Sequence, residues 1–192
     1  MQSDNSMKQE FTLELSPDER ETLLHIAKLS ISSALSGEFD ETRLNAQESA
    51  VLNAPLGAFV TLKKQGKLRG CIGRLQEEAP LYLTVSRMAL AAAFNDPRFP
   101  ALGKNEFADL EFDISIMGPI TACPYPEKIE SGRHGLIMKL GSRQGLLLPQ
   151  VAVEWIWTTE PFLATPCDTA RLPTHVRQQA REDTRAELDW FS

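Results

Sequence analysis

The chain has 192 residues, 42% of them hydrophobic, enough to bury one full core without disulfides or metals. A net charge of -6 argues against a dedicated nucleic-acid binder, which needs a basic face that outweighs its acids. Three cysteines, Cys71, Cys123 and Cys167, form no CxxC pair and fit a reducing, cytoplasmic compartment, and no apolar run approaches the roughly 20 residues that span a membrane.

Residues 1–10 are polar, with no signal-peptide core, and read as a disordered tail ahead of one domain over 11–192. Ser16-Pro17-Asp18-Glu19 supplies an N-cap serine, a first-turn proline and a capping-box glutamate, so a helix begins there. Leu23, Ile26, Ala27, Ile31, Ala34 and Leu35 give its apolar stripe, and Gly37 its left-handed stop. His25 on this helix reads as a surface histidine.

Residues 58–64 and 67–73 read as a hairpin. A three-residue loop, Lys64-Gln65-Gly66, would align Ala58, Val60 and Leu62 with Leu68, Gly70 and Ile72 on one face. Arg69 and Cys71 would then share the opposite face, about 6.5 to 7 Å apart. A second helix is expected from Pro80, with Leu81, Val85, Met88, Ala89 and Ala92 buried, broken at Asn95-Asp96-Pro97. Residues 110–116 alternate as an antiparallel strand that Gly118-Pro119 should end. Residues 135–140 and 145–148 suggest a hairpin closed by Gly141-Ser142-Arg143-Gln144. A helix cap is offered at Thr158 or Thr159, residues 177–187 have helical composition, and Leu188-Asp189-Trp190-Phe191 reads as the start of a last strand.

The chemistry centres on LRGCIG, Leu68 to Gly73. Lys63, Lys64, Lys67, Arg69 and Arg74 form a local block of +5 with no acid between them, able to hold an anionic small molecule or an acidic partner and to favour a thiolate at Cys71. The plainer reading is a solvated hairpin tip, with Cys71 a half-buried strand residue and Arg69 paired with Glu77 or Glu78. Gly70 and Gly73 allow a backbone or a ligand to approach closely. His134 and Gln150 are further binding candidates, and a Cys71 and His134 pair would have the residue types of nucleophilic catalysis. Neither the cysteines nor His25, His134 and His175 have the spacing of metal ligands, and no cofactor motif stands out. Cys123 and Cys167 read as structural, Trp155 and Trp157 as packing aromatics.

LRGCIG, taken with GRHGLIMKLGSRQGLLLPQVAVEW and EPFLATPCDTARLP, resembles the AMMECR domain family, whose prokaryotic members are called AmmeMemoRadiSam system protein A; the likeness runs from about Ser16 to Pro173. It implies an α+β fold with an antiparallel, barrel-like sheet flanked by helices, in two unequal lobes, and places Leu68, Arg69, Gly70, Cys71, Ile72 and Gly73 beside the groove between them. It implies a Memo-like protein and a radical S-adenosylmethionine enzyme as partners, and no defined reaction. Three functions follow: an accessory protein that holds a substrate or partner in that groove, an enzyme with Cys71 as nucleophile or redox thiol, or a noncatalytic regulatory adaptor. The chain departs from the family pattern at Thr169-Ala170-Arg171-Leu172, where relatives read close to KAGL, and lacks a tryptophan soon after Pro173.

Overall fold

The computed structural model describes residues 14–122, 134–140, 143–147 and 184–191. Helix α1, Pro17–Ser36, starts in the expected capping box: the Ser16 hydroxyl accepts the Glu19 amide and the Glu19 carboxylate accepts the Ser16 amide. It stops at Gly37, at φ 80°. Strands β1 (Gly57–Lys64) and β2 (Lys67–Arg74) follow, then helix α2 (Leu81–Phe94), a 3-10 segment (Lys104–Asp109) and β3 (Leu110–Ala122). Strands β4 (His134–Leu140), β5 (Arg143–Leu147) and β6 (Thr184–Phe191) complete an antiparallel sheet of order β2-β1-β3-β6-β4-β5.

The architecture is therefore α+β, as expected. Among the described residues no pairing joins β2 to β5, so the barrel-like closure implied by the resemblance is not drawn by these strands. Helix α2 packs on β1 and β2, and α1 packs on α2. Their shared core takes Leu23, Ile26, Ala27 and Ile31 from α1, Leu81, Val85, Met88, Ala89 and Ala92 from α2, and Ala58, Val60, Leu62, Phe112, Ile114 and Ile116 from the sheet. At the helix interface the Ser30 and Ser86 hydroxyls meet at 2.7 Å, which satisfies two buried polar groups at once.

Several expectations need correction. The β1 to β2 turn has two residues, not three: Lys64 pairs with Lys67, and Gln65 (φ 53°) and Gly66 (φ 70°) both take the left-handed conformation of a type I′ turn. The register is then shifted by a bulge, because Lys63 pairs with Leu68 and Leu62 with Gly70, leaving Arg69 as the extra residue. Val60, Leu62, Gly70 and Ile72 do share the helix-covered face, but Leu68 does not; it stays 43% exposed.

Strand β3 continues through Gly118-Pro119, and its pairing with β6 shifts between Met117 and Ile120, the irregularity that lets a proline into a ladder. Leu140 pairs with Arg143, so Arg143 and Gln144 belong to β5 and not to a loop. Residues 184–187, helical by composition, are strand, because β6 is held between β3 and β4; the strand foreseen at Leu188 starts earlier, at Thr184. The expected tail over residues 1–10 and the helix cap at Thr158 or Thr159 lie outside the described residues.

Candidate functional site

The bulge divides the LRGCIG motif between two faces. With Arg69 inserted, Arg69 and Gly70 both turn toward the helix side, whereas Cys71, opposite Thr61, turns to the other face. The expectation that Arg69 and Cys71 project together is thereby overturned. Arg69 meets Glu106 of the 3-10 segment fork to fork, Nε to Oε1 and Nη2 to Oε2 both at 3.0 Å, and its guanidinium lies 5.9 Å from the centre of the Phe99 ring. Its partner is Glu106 and neither Glu77 nor Glu78; Glu77 pairs with Arg74.

The +5 block is likewise met by acids that the fold brings from elsewhere. Lys63 reaches Asp113 at 2.8 Å, and Lys64 stands 3.8 Å from Glu106 and 3.9 Å from Asp109. The Arg69 fork, the Gly103 amide and the nearby Lys64 charge hold the Glu106 carboxyl down to about 2, against the opposing effect of burial. The side chains of this pair are only 12% and 22% exposed, so the interaction is more than a surface salt bridge. Arg69→Ala is expected to cost about 2 to 3 kcal/mol, lowering the melting temperature by roughly 5 to 10 °C. In a double-mutant cycle, adding Glu106→Ala should cost less than the sum of the single changes; additive losses in calorimetric melts would deny the coupling.

Gly70 and Gly73 are explained by the chain's own packing. A Cβ at Gly70 would lie 2.2 Å from the Ala92 carbonyl oxygen, and one at Gly73 would lie 2.2 Å from the Phe59 ring. Their missing side chains admit a helix backbone and an aromatic ring, so neither glycine argues for a ligand. A cleft opens just past the motif, lined by Pro55, Leu56, Gly57, Leu75, Glu78 and Met117.

Cys71 itself is a free, partly buried thiol held from three directions. The Thr61 hydroxyl donates to Sγ at 3.1 Å. The Cys71 amide donates to Asp96 Oδ2 at 2.8 Å, and its carbonyl accepts from Arg98 Nη2 at 3.0 Å. Asp96 is 4% exposed and also accepts from the Arg98 amide at 3.0 Å, from Nε at 2.9 Å and from Nη2 at 2.7 Å. The Arg98 side chain, followed by the amides of Cys71 and Arg98, keeps the Asp96 carboxyl far below the usual carboxylate range despite burial. Beyond Thr61, on the same face of the sheet, lies the Lys63 and Asp113 pair.

Asp96, Arg98, Thr61 and Glu106 were not foreseen as site residues. One signal did exist: Asp96 follows a helix end and accepts the amide two residues on, an Asx turn that Asn95-Asp96-Pro97 announces. Its second partner, Cys71, has no local signature. His134 opens β4 opposite Glu187, and β1, β3 and β6 stand between β2 and β4, so His134 and Cys71 are not cross-strand neighbours. Gln150, Cys123, Cys167, Trp155, Trp157 and His175 lie outside the described residues. Among the described residues, no three His, Cys, Asp or Glu gather as a metal set, and no helix is long and apolar enough to cross a membrane.

A family model described as AMMECR1 matches residues 24–192. A protein of Methanothermobacter thermautotrophicus is 41% identical over 165 residues, covering 83% of this chain and 85% of its own. One from Aquifex aeolicus is 37% identical over 158 residues, covering 79% and 80%. The crystal structure of uncharacterized protein PH0010 from Pyrococcus horikoshii is similar with a TM-score of 0.79 and 31% identity, covering 93% of this chain and 92% of that one.

Proposed function

The chain belongs to the AMMECR1 family, and from that premise we propose that it is an accessory protein that presents Cys71 to a substrate or partner segment of a modification system built on a radical S-adenosylmethionine enzyme and a Memo-like protein. The observation that carries the reading is the fixing of Cys71. Its amide, carbonyl and sulfur each have a dedicated partner, in Asp96, Arg98 and Thr61, while the residue keeps some surface. A cysteine that only filled a core would have no need of a buried carboxylate to set its backbone. A cytoplasmic location belongs to the same proposal, since a free thiol persists best in a reducing compartment.

The thiol enzyme is the second reading, favoured by the Thr61 hydroxyl, which donates to Sγ at 3.1 Å and so fixes the position of the sulfur. Among the described residues no histidine is hydrogen-bonded to the sulfur, so a base for nucleophilic catalysis is not part of the support.

The test is capture of the Memo-like protein and the radical enzyme of the same cell by wild type, Cys71→Ser and Cys71→Ala, with melting temperature measured beside it. Capture should fall about tenfold or more in both variants, the loss of roughly 1.4 kcal/mol of contact, with little thermal change. Alkylation of Cys71 in the native wild type, tracked by peptide mass spectrometry, should block capture in step. Undiminished capture by Cys71→Ala would sink the reading.

A further inference from the structure

The face of the sheet that carries Cys71 continues past the motif into the cleft. Across the strands Thr61 pairs with Cys71, Phe59 with Gly73 and Gly57 with Met117, three rows on the side away from the buried Ala58, Val60 and Leu62. Met117 is buried but has no part in the core under the helices, which places its side chain on the Cys71 side. The cleft lined by Leu56, Gly57, Leu75 and Met117 therefore opens on that side, with the Phe59 row between it and Cys71. Its volume, about 520 Å³, admits a long side chain.

The walls of the cleft are apolar and its rim is acidic. Glu77 and Glu78 both line it, and among its described lining residues there is no lysine or arginine. The Glu77 carboxylate is engaged, accepting from Arg74 Nη1 and from the Glu78 amide. Glu78 is exposed, and among the described residues nothing pairs with its carboxylate. Apolar walls that lead to one free carboxylate fit one kind of side chain, a long aliphatic stem that ends in a cation.

We infer that the cleft receives a basic side chain, lysine or arginine, from the same segment that meets Cys71, with its stem on Leu56 and Leu75 and its cation at Glu78. The inference rests on the accessory reading and adds the chemistry of the segment presented to the thiol. Spacing follows from the strand. Leu75 is four residues from Cys71, about 13 Å of extended backbone at about 3.3 Å per residue. A segment extended along this face thus puts one residue at Cys71 and the basic residue four positions away, both turned toward the sheet. Between them the Phe59 ring rests against Gly73, where a Cβ would stand 2.2 Å from it, and gives the crossing chain an apolar step. An acidic side chain in the cleft would face Glu77 and Glu78, so acidic segments are rejected.

The test uses the full chain and short peptides that carry one cysteine as its pyridyl disulfide, so that the Cys71 thiolate attacks the peptide sulfur and pyridinethiolate leaves. The other positions are alanine except one, four residues from the cysteine on either side, which is lysine, norleucine or glutamate. A control peptide has its lysine three residues away, on the outer side of an extended chain. Exchange at Cys71 is followed by peptide mass spectrometry below saturation. Lysine at four residues should react about fivefold faster than norleucine or the control, the upper range for one exposed ion pair, and glutamate slower than either. Glu78→Gln should abolish the advantage of lysine and leave norleucine unchanged, and Glu78→Lys should favour glutamate over lysine. Norleucine or the control peptide as fast as lysine at four residues, or an advantage that persists in both Glu78 variants, overturns the inference and leaves Cys71 as the residue presented. A Cys71 that exchanges with none of the peptides overturns the accessory reading itself, and the inference with it.

Discussion

Gly70→Ala is expected to be the most damaging small substitution in the LRGCIG motif, costing about 3 kcal/mol or more and lowering the melting temperature by roughly 6 to 12 °C. On propensity alone alanine should improve a strand, since glycine has the larger backbone entropy to lose. Space decides against it. The added Cβ would stand 2.2 Å from the Ala92 carbonyl oxygen and 3.1 Å from its carbonyl carbon, atoms of the α2 backbone. No smaller side chain at position 92 removes that contact, so α2 must lift off β2, opening the core where Leu62 and Val85 are fully buried. Gly73→Ala meets instead the Phe59 ring and the Ala58 carbonyl oxygen, so Phe59→Leu should restore part of the loss there, whereas no substitution at position 92 should rescue Gly70→Ala. Gly66→Ala, with open space around it and a φ of 70°, should cost only about 1 kcal/mol. Thermal melts of the three variants give the ranking directly, and a Gly70→Ala protein as stable as Gly66→Ala would mean that α2 does not lie on β2 as described.

That geometry also marks what the sequence could and could not convey. The caps of α1, the stripe of α2 and the alternation of β1 and β3 are local signals, written in residues three, four or two apart, and Ser16, Gly37, Val85 and Ile114 take the places those periods demand. The face-sharing of the aliphatic residues cannot distinguish the two turns, because a two-residue turn at Gln65-Gly66 plus a bulge at Arg69 puts Val60 and Leu62 on the same face as Gly70 and Ile72, just as a three-residue turn would. The patterns differ in Leu68 and Arg69 alone, the residues on which the site depended. Thr184 to Glu187 reads as helix by composition because its strand identity comes from β3 and β4, far away in the chain. The same holds for the site. Asp96, Arg98 and Glu106 stand 25, 27 and 37 residues from the motif partners they bind, and a charge count within the block sees its cations without the acids that meet Lys63, Lys64, Arg69 and Arg74.

Asp96→Ala should cost about 3 to 5 kcal/mol at neutral pH, because it strands the Cys71 amide at the sheet edge and removes the carboxylate that orders Arg98. The penalty should depend on pH in a definite direction. Asp96 has its carboxyl held far below the usual carboxylate range, first by the Arg98 side chain and then by the amides of Cys71 and Arg98. An unfolded chain takes up that proton near the ordinary aspartate value, around 4, before the folded chain does, so folding loses the contribution as pH falls and regains it as pH rises. Above that range the contribution is complete. Glu106, held down to about 2 by Arg69 and the Gly103 amide, adds a second loss between its ordinary value of 4.5 and about 2. Wild type should therefore weaken steadily below about pH 5, and the gap between wild type and Asp96→Ala should narrow over the same interval, since the variant has no Asp96 carboxylate left to protonate. Asp96→Asn separates charge from shape: it keeps an oxygen for the Cys71 amide, so it should lose less than Asp96→Ala while showing the same narrowing of its gap to wild type. Urea unfolding at closely spaced pH values from neutral downward measures all three, and a gap that stays constant to pH 3 would show that Asp96 acts by filling space and not by the charge-assisted bonds that join β2 to the turn after α2.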